Sequence, residues 1–98
     1  MMTDKKYRLR RAIVFAMADF VCAQSLDNLL NHDLLIEENP DPEFARSEWT
    51  ALQVAGLILP VPGYQGTYCT LAPHIRREIE AGKNLRDNEF LYGAAAVR

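Results

Sequence analysis

The chain has 98 residues, of which 49% are hydrophobic and 24% charged, with a formal net charge of −2. That balance belongs to one small folded domain and excludes both a disordered segment and a pair of domains. A chain of this size buries roughly 60 to 65% of its unfolded surface, which builds one core and leaves little room for an enclosed catalytic cleft.

The charge is unevenly spread. Residues 1–20 carry a net +3, residues 21–58 a net −6 and residues 59–98 a net +1. The two cysteines, Cys22 and Cys69, are too few for a secreted disulfide scaffold, so reduced thiols and a cytoplasmic location are predicted. A basic stretch (KKYRLRR) precedes the apolar run Ala12 to Ala18 in the manner of a signal peptide. Asp19 ends that run, and seven apolar residues cannot span a bilayer, so neither export nor membrane insertion is expected.

In chain order, Leu9, Ile13, Ala16, Met17 and Phe20 recur at helical spacing and predict a first helix over residues 3–23. Phe15, Ala18 and Cys22 form a second apolar side. A helix apolar on both sides is normally packed between two partners, which raises the expectation of a second subunit. Ser25 suits the N-cap of a short helix over residues 26–31. Leu34 to Ile36 read as a short extended piece stopped by Asn39-Pro40-Asp41-Pro42.

That stop also starts a third helix. Asp41 can accept free first-turn amides, Pro42 suits the first helical position, and Gly56 supplies a left-handed C-terminus. Its apolar side carries Phe44, Ala45, Trp49, Leu52 and Ala55, with Glu48 lying inside the same arc and needing a cationic partner. Residues 57–61 and 67–71 predict a β-hairpin around Pro62 to Gly66. Pro60 has no amide to donate, so its strand is expected at a sheet edge or paired on its other side. Pro73 opens a last helix with Ile75 and Ile79 inward, closed by Gly82.

The predicted fold is mainly α with a small β-hairpin (α+β), in the order helix, helix, helix, hairpin, helix. Residues 1–83 form the domain. Residues 84–98 form a tail whose Phe90, Leu91 and Tyr92 are too apolar to be solvated, so it docks on the domain or on a second subunit. A homodimer is expected to use Phe15, Ala18, Cys22, Phe90, Leu91 and Tyr92.

The segment Trp49-Thr50-Ala51-Leu52-Gln53-Val54-Ala55-Gly56-Leu57-Ile58, followed by the strand Tyr68-Cys69-Thr70-Leu71, resembles the winged helix-turn-helix superfamily over most of residues 7–82. The resemblance implies that the third helix is a recognition helix and the hairpin a wing. Many such domains are DNA-binding transcription regulators, and others are protein-interaction adaptors. Carried over by position, Arg46, Ser47, Thr50 and Gln53 would face a DNA groove, with Tyr64, Gln65 and Thr67 on the wing.

Arg can read guanine and Gln adenine through paired hydrogen bonds, while Ser and Thr hold phosphate. Lys5, Lys6, Arg8, Arg10 and Arg11 form a basic run suited to phosphate contact. Against that, residues 57–75 contain no Lys or Arg and the third helix begins with Glu43. Cys22, His32, Cys69 and His74 lack the close spacing of a zinc site, so no metal or other cofactor is predicted. Gly63-Tyr64-Gln65-Gly66 lies between strands and reads as a turn. No nucleophile is grouped with a base, and the expectation is a protein that is not an enzyme.

Overall fold

The structure, a computed structural model, describes residues 2–94 and the side chains of residues 5–94. Among the described residues, six helices and a three-stranded antiparallel sheet follow in the order α1 (Met2–Met17), β1 (Gln24–Ser25), α2 (Leu26–Leu29), α3 (Asp33–Glu38), α4 (Pro42–Val54), β2 (Ile58–Pro60), β3 (Tyr68–Leu71), α5 (Pro73–Glu80) and α6 (Glu89–Tyr92). The α+β class expected from the sequence is observed.

One core unites these elements. Leu9, Ile13, Val14, Ala16 and Met17 of α1 are buried against Leu29, Leu35, Leu52, Ile58, Cys69 and Leu91. α1 runs through the middle, with α3, α4 and α6 packed around it. It ends six residues before the predicted Ala23. No glycine closes it; instead the Arg76 guanidinium, reaching from α5, donates to the carbonyls of Met17, Ala18 and Phe20, the last at 2.8 Å. A cation at a helix C-terminus satisfies orphan carbonyls and opposes the negative dipole end.

Residues 34–36 are helical, not extended. His32 caps α3, its Nδ1 accepting the Leu34 amide at 3.1 Å while its Nε2 lies 2.6 Å from Asp19 Oδ2. Leu35 then faces the core, and Asn39 ends the helix in a left-handed conformation (φ 45°) ahead of Pro40. α2 is also shorter than predicted, although Ser25 Oγ caps it by accepting the Asn28 amide. α4 begins as its sequence demands: Asp41 Oδ2 accepts the amides of Glu43 and Phe44 at 3.1 and 3.3 Å, with Pro42 in the first turn.

The sheet order is β1-β3-β2. β2 lies at an edge, as Pro60 requires, and pairs Ile58 with Leu71 and Pro60 with Cys69. β1, absent from the sequence reading, pairs Gln24 with Cys69 and Ser25 with Tyr68. Two residues cannot display an alternating pattern, so only the finished hairpin reveals this strand.

The thiols differ in exposure. Cys22 is exposed, whereas Cys69 is buried in the sheet and burial pushes its thiol up to about 11 from 9.0. An aromatic disulfide reagent at pH 8 is therefore expected to titrate one thiol quickly in the folded protein and the second only on unfolding. Because the folded pKa of Cys69 is the higher one, its contribution to stability is intact below pH 9 and declines as the pH rises through about 11. Rapid titration of both thiols in the folded protein would contradict this placement.

Candidate nucleic-acid interface

The outer side of α4 follows from its burial. Ala45, Glu48, Trp49 and Leu52 point inward. At 100° per residue this turns Glu43, Ser47, Thr50 and Val54 to the middle of the opposite side, with Arg46 on one flank. All five are exposed. Arg46, Ser47 and Thr50 thus share one accessible strip.

Gln53 is placed differently. It is half-buried and its amide lies against the wing. A Cβ built on Gly66 would stand 2.8 Å from Gln53 Oε1, and Gly66 has φ +84°. Only glycine allows both the close approach and that backbone conformation. The Trp49 indole donates to the Gly66 carbonyl at 2.9 Å, which fastens the hairpin to α4 from the buried side. Trp49 is 5% exposed and belongs to the core.

A shallow groove runs between α4 and the wing, lined by Arg46, Thr50 and Gln53 on one wall and Gln65 and Thr67 on the other. Asp27 of α2 also lines it. Nothing in the sequence pattern pairs Asp27 with α4, because the approach depends on how α2 packs. Tyr64 points elsewhere: its ring meets Tyr68 edge to face at 5.2 Å. Arg46 is the only cation among these groove residues, with Asp27 as its acidic counterpart and Glu43 on the same helix.

The basic run of α1 divides in two. Lys5 is exposed and lines a hollow with Asp41 and Phe44, at the start of α4. Lys6 is half-buried, its Nζ 5.4 Å from the centre of the Tyr7 ring, and Arg8 Nε lies 3.2 Å from Glu38.

The other two cations are structural. Arg10 is 8% exposed, donates to Glu48 at 2.5 Å and to the Phe90 carbonyl at 3.0 Å, and stacks 3.8 Å from the centre of the Phe90 ring. Arg11 donates to the Leu91 carbonyl at 2.7 Å and lies 4.5 Å from the Tyr92 ring centre. The expectation of five phosphate-facing cations is therefore corrected: Arg10 and Arg11 hold the C-terminal segment, and Arg10 is the partner Glu48 requires.

The apolar groups expected at a subunit interface are placed as follows. Leu91 is fully buried, while Phe90 and Tyr92 are half-buried against the same chain. Tyr92 Oη also donates to the Asn84 carbonyl at 2.6 Å. Phe15 and Ala18 pack on the edge of the core, and Cys22 is exposed in the loop after α1. Leu91 is thus a core residue and is not free to meet a second subunit.

Among the described residues no cluster of His, Cys, Asp and Glu is arranged to hold a metal ion, and no helix is long and apolar enough to cross a membrane. No family model, curated protein or solved structure matches the chain.

Proposed function

We propose that the chain is a non-catalytic winged-helix DNA-binding module of transcription-regulator type, acting in the cytoplasm without a cofactor. The observation that supports this reading best is an outward polar strip on a rigidly mounted helix beside a hairpin. α4 presents Arg46, Ser47 and Thr50. The hairpin is fixed to its flank through Trp49 and Gly66. The order helix, strand, helices, hairpin, with the first strand paired to the last, supports a winged helix.

In this reading α4 enters the major groove, Arg46 reads guanine, Ser47 and Thr50 hold phosphate or base edges, and Gln65 contacts the backbone from the wing. Lys5 and Lys6 supply further phosphate contact.

With Lys5, Lys6 and Arg46 as the cations engaged, about three phosphates are neutralised, and affinity should fall roughly 40-fold between about 50 and 200 mM salt. Fluorescence anisotropy of a labelled duplex measures this. Arg46→Ala is expected to weaken binding and flatten that salt dependence. Absence of binding at about 50 mM salt would overturn the reading.

A second reading, a protein-interaction adaptor that does not bind DNA, is favoured by one observation. Asp27 and Glu43 outnumber Arg46 around the strip, while Arg10 and Arg11 are turned into the fold. The same titration separates the two readings.

A further inference from the structure

Val54, at the end of α4, is 85% exposed. At that exposure its side chain contributes almost nothing to the core. A β-branched residue also lowers helix propensity relative to an unbranched one. Neither packing nor helix formation therefore accounts for a valine here.

Its direction is set by the helix. Glu43, Ser47, Thr50 and Val54 recur at steps of four, three and four, so they stand one above another on the outward side. Val54 thus closes the C-terminal end of the strip that presents Ser47 and Thr50. Around it, Ala51, Ala55 and Gly56 are small, and residues 49–75 contain no Asp, Glu, Lys or Arg. The acid on the strip, Glu43, lies about 16 Å away at the other end, at 1.5 Å per residue. A duplex can therefore approach this end of α4 closely and without repulsion.

We infer that Val54 recognises thymine through its 5-methyl group, and that the duplex preferred by this chain carries a thymine within about four base pairs of the guanine read by Arg46. This role rests on the DNA-binding reading of α4. In the major groove, guanine, adenine and cytosine present hydrogen-bonding atoms, whereas thymine adds a methyl group. A valine side chain has neither donor nor acceptor. Against any of the other three bases it would displace water from a polar edge and return no bond, while against thymine it covers an apolar group. The spacing follows from the helix: eight positions separate Arg46 from Val54, a rise of about 12 Å against about 3.4 Å per base pair.

Selection by the full chain from duplexes randomised at their centre, at about 50 mM salt, tests this role. The bound fraction is expected to carry a thymine at a fixed distance from an enriched guanine. Replacing that thymine by deoxyuridine removes only the methyl group and should weaken wild-type binding about fourfold, the worth of one buried methyl. Val54→Ser should bind the two duplexes equally and keep the preference for guanine. The substitution is at an exposed position and should leave the fold intact, and the deoxyuridine comparison needs no variant at all. A bound fraction without such a thymine, or equal wild-type affinity for the thymine and deoxyuridine duplexes, overturns the role of Val54 and leaves DNA binding standing. Discrimination that survives in Val54→Ser overturns it equally, because the methyl group is then read elsewhere. Failure to bind any duplex overturns the DNA-binding reading and this role with it.

Discussion

Glu48→Ala is expected to destabilise the protein by about 3 to 5 kcal/mol, the usual cost of removing one partner from a buried ion pair. The side chains of Arg10 and Glu48 are only 10% and 9% exposed, so the deletion leaves an unpaired guanidinium largely shielded from water. Arg10 also donates to the Phe90 carbonyl and stacks on the Phe90 ring. The pair therefore joins α1, α4 and α6, and its loss should loosen the C-terminal segment before the rest unfolds.

Urea unfolding followed by the fluorescence of Trp49, the one tryptophan, measures the cost. Amide exchange around residues 89–93 measures the loosening. Replacing both partners by Met should be close to neutral, because the expense lies in leaving one charge unpaired and not in the absence of the pair. A loss below about 1 kcal/mol for Glu48→Ala would mean that water reaches Arg10.

Trp49→Ala is expected to cost about 3 to 5 kcal/mol through the cavity left in the core. Trp49→Phe separates two effects. It keeps most of the apolar volume but loses the indole donor to the Gly66 carbonyl, so a smaller loss of about 1 to 3 kcal/mol is expected. That variant should also raise amide exchange at residues 64–67, because the wing is fastened to α4 at Gly66. Equal exchange in Trp49→Phe and the wild type would show that the wing holds its place without the indole.

Much of the fold is legible in the sequence wherever local chemistry marks an element. Asp41-Pro42 and Gly56 bracket α4, and Pro60 assigns β2 to an edge. The misreadings have two causes: a partner distant in sequence at the end of α1, and a local cap of unusual chemistry at the start of α3. Past the end of α1 at Met17, Arg76, from α5, donates to the carbonyls of Met17 and Phe20. α3 forms because a histidine ring, not one of the usual hydroxyl or carboxylate caps, accepts its first free amide.

The candidate site divides along the same line. Helical periodicity places Arg46, Ser47 and Thr50 together on α4. It cannot foresee that Gln53 turns to Gly66, that Asp27 lines the groove, or that Arg10 and Arg11 are drawn to α6, since each depends on packing between elements.

The most direct test of the central claim, that the outer strip of α4 reads duplex DNA, is amide chemical-shift mapping by NMR during titration with a duplex at about 50 mM salt. The account predicts the largest shifts at Arg46, Ser47 and Thr50, with smaller ones at Gln65 and Lys5, and little change at the outward hairpin residues Leu59 and Thr70. Unchanged spectra, or shifts confined to the outer hairpin face, would contradict it.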